Sequence, residues 1–424
     1  MFGLLVAMVA LSLLLIAARP AHAVTLTVNN TVDPGDGDCE PNGGCTLREA
    51  MNEANHTTAD KIGFRFHGGS VNTISPTSPL PTITERLTID GYTQPGASEN
   101  TAANGTNAVL KIELNGSAAG AGTPGIEVQA SGCVIKGLVI NRFSGHGVRI
   151  TSIGPETRDN RVVGNFIGTN AAGTQDLGNG GAGVYIDGGN SSSDNTVGGS
   201  RPKPRNLISG NDLGGVEIYT TDNAILGNLI GTEKNGTDAL GNSGTGVGIF
   251  GDTSNDNIVG GTLPESANTI AFNSENGVTV DGDNGNGILR NSIFENDGLG
   301  IDLVPLGATP NDPKDLDTGS NDLQNKPDLT SATNSATTTT VKGSLNSVPN
   351  RTFRIRFFSN PSGNEGKKYI GAKSVTTNAD GDTGAFTFKP ENKVGANQNI
   401  TATATGTTTG NTSEFSGSED VVVQ

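Results

Sequence analysis

A repeat of Asp-Asn pairs restricts the fold of this chain more than any other feature. Steps of 35, 28 and 34 residues separate the successive pairs, which begin at Asp159, Asp194, Asp222 and Asp256. Each unit contains three short runs of Val, Ile and Leu between turns of Gly and Asn. Three such strands cannot bury an apolar face alone, whereas stacked units align their apolar rows into one core at a spacing of ~4.8 Å. The repeat therefore predicts a parallel β-helix.

Composition and charge narrow the class of protein further. Glycine contributes 62 of the 424 residues and Trp is absent, which disfavours long helices because Gly weakens a helix interior. The formal net charge of −16 argues against nucleic acid and anionic membranes as partners, since both require basic surfaces. We therefore expect an all-β protein that binds neither.

Asparagine recurs in one slot of the repeat, at Asn165, Asn228 and Asn291. Asn tolerates the left-handed backbone conformation, and stacked amides can hydrogen-bond from coil to coil. We interpret these residues as corners of the coils.

The exposed strand edge at the start of a solenoid needs a cap. Thr46 and Glu49 have the spacing of a capping box. The apolar residues that follow with helical periodicity are Leu47, Ala50, Met51 and Ala54. We expect one short amphipathic helix over that edge.

The chain divides into five predicted parts. These are a signal peptide over 1–23, an N-terminal cap with the first coils over 24–130, regular coils over 131–305, a linker over 306–340, and a small antiparallel, Ig-like β-sandwich over 341–424.

The first part predicts export. An apolar run over Leu4–Ala18 precedes Ala21-His22-Ala23, which fits cleavage between Ala23 and Val24. The segment before the run lacks Lys and Arg, so an uncleaved anchor is the alternative, although about fifteen apolar residues are short for a membrane span. We expect a secreted or cell-surface protein without a membrane span in the mature chain.

Three cysteines are too few to stabilise so long a chain by disulfides. Export favours a Cys39–Cys45 disulfide over two free thiols, with Cys133 left unpaired and buried.

The segment "CTLREAMNEAN" at Cys45–Asn55 resembles the signature of CSLREA-domain proteins, with Thr46 in place of the usual Ser. The resemblance continues through "LPTITERLTIDGYTQPGA" at Leu80–Ala97, the coils, and "DLDTGSNDLQNKPDL" at Asp315–Leu329. It implies an exported bacterial protein with a right-handed parallel β-helix, similar in architecture to pectate lyases. It implies no established activity and no catalytic residue.

The middle residue of each G-V-x-I strand should face outward. In successive coils this row contains Arg149, Tyr185, Glu217, Gly248, Thr279 and Asp302. Glu217 and Asp302 would stand three coils or about 14 Å apart, beyond the reach of a glycosidase carboxylate pair. Arg149, Tyr185 and Glu217 are the ligand-binding candidates, and the alternative interpretation is a solvated strand face.

Other catalytic chemistry lacks support. The "GHG" around His146 resembles an element of polygalacturonases, but His146 falls in a turn slot that Ala182, Gly214, Thr245 and Asn276 fill in other coils. The chain contains no Asp-Asp pair, no nucleophile motif and no cluster of zinc ligands.

Calcium is the one metal for which candidate ligands exist. The predicted loops contain Asp33, Asp36 and Asp38 in one case and Asp315, Asp317, Asn321 and Asp322 in the other. Neither matches an EF-hand, and solvated turns are the alternative.

We therefore predict a non-catalytic, monomeric module for a cell surface, matrix or adhesion, with an extracellular polysaccharide or protein as partner and no cofactor other than calcium. The alternative is a polysaccharide lyase or glycoside hydrolase of the pectate-lyase type, which rests on architecture alone.

Overall fold

The computed structural model describes residues 24–33, 37, 39, 44–57, 59–154, 156–188 and 192–423. The predicted signal peptide and Ala23 lie outside these residues, as do Asp36 and Asp38. Val24 is the first residue of the first strand. No helix in the described ranges is long and apolar enough to cross a membrane.

Three parallel sheets form the β-helix predicted from the repeat. Sheet 1 contains β1 (Val24–Val28), β2 (Ala59–Phe64), β4 (Thr88–Asp90), β7 (Val134–Lys136), β10 (Arg161–Val163), β13 (Thr196–Gly198), β16 (Ala224–Leu226), β19 (Ile258–Gly260) and β22 (Gly287–Leu289). Sheet 2 contains β3 (Asn72–Ile74), β5 (Ile112–Asn115), β8 (Leu138–Asn141), β11 (Phe166–Ile167), β14 (Leu207–Ile208), β17 (Leu229–Ile230), β20 (Thr269–Ala271) and β23 (Ser292–Phe294). Sheet 3 contains β6 (Ile126–Val128), β9 (Val148–Ile150), β12 (Val184–Ile186), β15 (Val216–Ile218), β18 (Val247–Gly251), β21 (Val278–Gly282) and β24 (Ile301–Leu303).

Successive coils stack in strict register. Val184 and Ile186 of β12 pair with Val216 and Ile218 of β15, and all four side chains are fully buried. The residue between each pair faces outward, since side chains alternate along a strand. Inward Val, Ile and Leu residues from the three sheets form one core along the solenoid.

Three asparagine ladders follow the corners of the coils. They consist of Asn160, Asn195, Asn223, Asn257, Asn286 and Asn321; of Asn165, Asn206, Asn228, Asn268 and Asn291; and of Asn179, Asn211, Asn242, Asn273 and Asn296. In the second ladder, Nδ2 of Asn228 donates to Oδ1 of Asn268 at 3.0 Å and to the carbonyl of Val197 at 2.9 Å. Each buried amide thereby replaces hydrogen bonds that water would otherwise supply.

The corner prediction needs one correction. Asn165 and Asn228 are ladder residues, but neither has a positive φ. The residue immediately before them does, with φ of 64° at Gly164 and 66° at Gly227. The Asp of each of the four pairs that set the repeat, at Asp159, Asp194, Asp222 and Asp256, takes the same conformation, with φ between 54° and 60°. The left-handed residue thus turns the chain, and the Asn that follows points inward to bond the next coil.

The helix α1 (Leu47–Ala54) covers the start of the solenoid as predicted. Oγ1 of Thr46 accepts from the amide of Glu49, and Oε2 of Glu49 accepts from the amide of Thr46 at 2.8 Å. The four predicted apolar residues of the helix are all buried against the core. Short 3₁₀ turns occupy Gly91–Thr93, Gly116–Ala118 and Pro264–Ser266. Ser320–Leu323 forms a further turn, in which Asn321, Asp322 and Leu323 have positive φ.

The C-terminal region is a nearly closed mixed sheet of seven strands. In chain order they are β25 (Asp328–Asn334), β26 (Thr339–Ser344), β27 (Thr352–Asn360), β28 (Lys368–Thr376), β29 (Phe386–Phe388), β30 (Asn399–Gly406) and β31 (Glu419–Val423). The pairings are antiparallel as predicted, except that β31 runs parallel to β25. The predicted linker over 306–340 contains β25 and the start of β26, because these residues pair with each other and with the rest of the sheet.

This C-terminal sheet also covers the far end of the solenoid. Gly366 forms a bridge with Ile293 of β23, and Oγ1 of Thr412 accepts from the amide of Ile288 in β22. Asn321 ends the first ladder, and Glu365 accepts from the last amide of the third. Backbone groups and amides that would end in water therefore have partners.

Candidate functional site

The outer face of sheet 3 carries the row predicted from the sequence. The strand register places Arg149, Tyr185, Glu217, Gly248, Thr279 and Asp302 side by side in that order. Glu127 of β6 precedes Arg149 in the same row. Glu217 and Asp302 are three strands apart, as expected, so neighbouring coils do not bring these two carboxylates together.

A second outward row lies two residues further along each strand and contributes Tyr219 and Phe250 to an aromatic series that also includes Tyr185 of the first row and His146. The ring of Tyr185 lies 4.1 Å from that of His146 and 5.2 Å from that of Tyr219, and Tyr219 lies 5.3 Å from Phe250. Sequence reasoning missed Tyr219 and Phe250 because the predicted row stopped at the inward Ile of each strand. Alternation with period two, continued one step beyond that Ile, would have found both.

Gly248 explains where Phe250 lies. A Cβ atom at Gly248 would overlap the Phe250 ring. The missing side chain in the first row thus leaves space for a ring from the second row. The aromatic series ends at this ring, which borders an open cavity.

His146 is held neutral within this face. Its Nδ1 accepts from the amide of Ala182 at 3.0 Å, so the proton of the neutral ring belongs on Nε2. Desolvation, and then the positive charge of Arg149, lower the pKa of His146 to about 4. The ring acts here as a stacking group beneath Tyr185.

Two of the predicted binding candidates, Arg149 and Glu217, already have partners within the protein. Nη2 of Arg149 forms an ion pair with Asp187 at 3.0 Å, so its charge is compensated. Glu217 accepts from the amide of Gly214 at 3.1 Å. Desolvation and the charge of Glu275 nevertheless raise the pKa of Glu217. Desolvation, and then the charge of Glu217, also raise the pKa of Tyr219 to about 12, so its hydroxyl stays protonated.

The open cavity beyond Phe250 has a volume of about 870 Å³. Its apolar lining comes from Phe250, Leu299, Val304 and Leu306. Its polar lining comes from Ser274, Glu275, Asn276, Thr279, Asp281, Asp297 and Asp302. Apolar surface with a few converging polar groups is the usual character of a ligand site.

Asp302 forms the inner wall of this cavity. It is 2% exposed, and its carboxylate accepts from Nδ2 of Asn276 at 2.8 Å and from the amide of Gly307 at 3.1 Å. Burial outweighs these two bonds and raises its pKa. Such a carboxylate accepts hydrogen bonds in fixed directions.

The predicted calcium ligands are dispersed or already engaged. Asp33 accepts from Nε and Nη2 of Arg48 at 2.6 and 2.9 Å and from Thr77. Asn321 belongs to a ladder, and Asp322 accepts from Asn411 at 2.9 Å.

Asp315 and Asp317 do lie together, but with Asp312, a residue the sequence prediction missed. Side-chain oxygens of the three residues come within 4.8 Å of one another. Ser347 and Gln324 donate to Asp315, yet burial raises its pKa to about 6.

The cysteines have the predicted arrangement. Cys39 and Cys45 form a disulfide with a Cα–Cα distance of 4.4 Å. Cys133 is free and fully buried, and desolvation raises its pKa to about 11. A buried thiol that stays protonated is a weak nucleophile.

Comparison with known proteins adds little to this picture. No protein-family model and no curated protein matches the chain. Among solved structures, the Dettilon tailspike protein aligns over 86% of this chain and 94% of its own, at 14% identity and a TM-score of 0.25. The fold and the site therefore rest on the strand register and contacts described above.

Proposed function

We propose that this protein is a non-catalytic polysaccharide-binding module, and that its ligand lies along the outer face of sheet 3. The observation that carries the proposal is the continuity between the aromatic series of His146, Tyr185, Tyr219 and Phe250 and the open cavity next to it. The strands of the face succeed one another at ~4.8 Å, so it offers a periodic series of polar and apolar contacts to an extended polymer.

The charge of the cavity favours an uncharged glycan. Its described lining includes four carboxylates, from Glu275, Asp281, Asp297 and Asp302, and no Lys or Arg. The nearest cation in the row, Arg149, is paired with Asp187. Carboxylates accept hydrogen bonds from sugar hydroxyls, whereas they repel a polymer of uronic acids.

The same geometry weakens the alternative of a lyase or hydrolase. A lyase acting on uronates would need cations here, and the described lining supplies none. The two row carboxylates with raised pKa values, Glu217 and Asp302, stand three strands apart, beyond the ~5 to 9.5 Å of glycosidase pairs.

Export, a cell-surface or matrix location, and membership among CSLREA-domain proteins also belong to this proposal. Their support is the apolar N-terminal run and the "CTLREAMNEAN" segment. The Cys39–Cys45 disulfide is consistent with an oxidising compartment.

The test is a glycan array followed by calorimetry on the best neutral oligosaccharide. We expect Tyr219→Ala/Phe250→Ala to weaken its binding by at least 10-fold, because Phe250 borders the cavity and Tyr219 continues the aromatic surface beside it. Leu263→Ala/Val422→Ala removes two exposed apolar side chains elsewhere and should bind as wild type. Equal affinity in both double variants would contradict the proposed face.

A degradation assay with the same polysaccharides separates binding from catalysis. The proposal expects no new reducing ends and no unsaturated products. Product release that is lost in Glu217→Gln or Asp302→Asn would establish the enzymatic alternative instead.

A further inference from the structure

Sheet 1 carries a second groove, on a different face of the solenoid from the sheet 3 cavity. It has a volume of about 660 Å³. Its floor includes Val134 and Val163 from neighbouring strands and Leu226 beyond them. We call it the basic groove, because the charged residues that line it are Lys136, Arg161, Arg201, Lys203 and Glu99. Four cations and one acid contrast with a chain whose net charge is −16.

Two of these four cations, Arg161 and Arg201, have no ion-pair partner among the described residues, whereas the two lysines do. Lys136 shares Asp90 with Lys61, at 3.0 and 2.7 Å, and Lys203 pairs with Glu99 at 2.8 Å. The guanidinium groups of Arg161 and Arg201 are exposed and form no hydrogen bond or ion pair with any described residue. An arginine fork without a protein partner can bind a carboxylate or sulfate in two places at once.

The rim that carries Arg201 and Lys203 is firmly held. It belongs to the segment 199–205, which ends at Arg205. This buried guanidinium donates to the carbonyls of Gly105, Ala103 and Gly227 at 2.6, 2.9 and 3.1 Å. Tyr92 also lines the groove, and its hydroxyl donates to the carbonyl of Gly164 at 2.7 Å, while the amide of Gly164 donates to the rim carbonyl of Pro204 at 3.0 Å. A rim fixed in this way reduces the entropy lost when a ligand binds.

The repeat shows that the fold does not require these charges. The sequence "DNTVGGSRPKPRN" at 194–206 recurs as "DNIVGGTLPESAN" at 256–268. In the second copy Leu263 occupies the slot of Arg201, and Glu265 occupies the slot of Lys203. Both copies connect a strand of sheet 1 to a strand of sheet 2. The basic residues are therefore a property of one coil rather than of the turn.

We infer that the basic groove binds an acidic polysaccharide, one whose sugars carry carboxylate or sulfate groups. The recessed apolar floor accommodates the ring faces of a sugar chain, while Arg161 and Arg201 face its anionic groups. Nucleic acid fits less well, because two unpaired cations cannot compensate its dense charge. The inference is independent of the neutral ligand proposed for sheet 3.

The test replaces Arg201 and Lys203 by the residues that occupy the same slots in the second copy of the loop. Arg201→Leu/Lys203→Glu introduces residues that this slot already contains in the same protein, so we expect the fold to be kept. Calorimetry with a defined oligogalacturonate should show binding at least 10-fold weaker than wild type. Arg351→Gln/Lys389→Gln, which removes two exposed cations in the C-terminal region, should bind as wild type.

Two further measurements keep the inference falsifiable. Glu99→Gln removes the one acid of the groove and should strengthen oligogalacturonate binding about 2-fold or more, a gain that misfolding cannot produce. A sulfated dextran oligomer in parallel distinguishes sulfate from carboxylate as the preferred anion. An uncharged dextran oligomer that binds as tightly as both, or a loop variant that binds like wild type, would overturn the inference. Loss of sheet 3 binding in Tyr219→Ala/Phe250→Ala leaves the outcome here unchanged.

Discussion

Sheets 1 and 3 are built alike and present opposite chemistry. In both, inward Val and Ile residues alternate with outward ones, and every coil adds one strand. On sheet 1 the outward residues and a neighbouring loop create the basic groove, whereas on sheet 3 they create an aromatic series and an acidic cavity. The repeat thus determines the interior, and the outward positions are free to differ from sheet to sheet.

The largest expected effect is a loss of stability. It should affect both binding faces, because sheets 1 and 3 share one interior. Asn228→Ala removes an amide that bonds Asn268, Asn206 and Val197 and leaves buried partners unsatisfied. We expect a loss of about 2 to 4 kcal/mol in the free energy of unfolding, measured by urea denaturation. Asn104→Ala, at an exposed Asn, should stay within about 0.5 kcal/mol of wild type. Equal stability of the two variants would contradict the structural role of the ladder.

The next expected effect is a difference between the two faces in how strongly salt weakens ligand binding. Raising NaCl from about 0.05 to 0.5 M should weaken oligogalacturonate binding several-fold, because the Debye length falls and charges at the groove are screened. Binding of a neutral oligosaccharide should change less than 2-fold over the same range. If both ligands respond equally, the contrast in charge between the faces does not govern recognition.

A smaller effect should be confined to sheet 3. Gly248→Ala places a Cβ against the Phe250 ring, which must then move relative to the cavity. We expect neutral oligosaccharide binding to weaken about 3- to 10-fold, with oligogalacturonate binding unchanged. Gly287→Ala, at an outward glycine of sheet 1 with space for a Cβ, is the matched control. If Gly248→Ala binds the neutral oligosaccharide with unaltered affinity, Phe250 does not belong to the binding site.

The pH dependence of stability probes the start of the aromatic series. The folded state lowers the pKa of His146 to about 4 from an ordinary value of ~6.5, so the unfolded chain takes up this proton first. The stabilising contribution is present above about pH 6.5 and is lost as the pH falls towards 4. His146→Asn, the residue of the same slot in another coil, should flatten this part of the melting-temperature profile. Parallel profiles for the variant and wild type would contradict the assignment.

The smallest expected effect lies outside both faces, at the acidic cluster of Asp312, Asp315 and Asp317. If it binds calcium as predicted from Asp315 and Asp317, millimolar calcium should raise the melting temperature by about 1 °C or more over chelator. Asp315→Asn should abolish the difference. Asp33 pairs with Arg48, so Asp33→Asn should leave any calcium response in place. If the melting temperature of wild type does not respond to calcium, the prediction of a calcium site is wrong.

The predictions that succeeded concern residues whose position follows from one period. The outward row from Arg149 to Asp302 and the buried face of α1 were predictable because each needs only local alternation or helical spacing. The left-handed corner was assigned one residue too late, since Asn and its predecessor both favour turns and only the backbone distinguishes them. The rim at Arg201 was missed because the other residues of the basic groove are distant from it in sequence. Asp312 is only three residues before Asp315, and it was missed because the predicted acidic loop began at Asp315.

The sequence alone determined the parallel β-helix, its helical cap and its β-rich C-terminal region. It could do so because stacked coils repeat their apolar and Asn positions at nearly constant intervals. Tertiary structure alone decided which outward side chains meet, for example Tyr219 with Phe250, and Arg161 with the rim at Arg201. Such residues lie about a coil or more apart along the chain, and they become neighbours only when the register and the length of every intervening loop are fixed. The C-terminal region was likewise assigned its role as a cap by contacts such as Gly366 with Ile293 and Thr412 with Ile288, which no local pattern encodes.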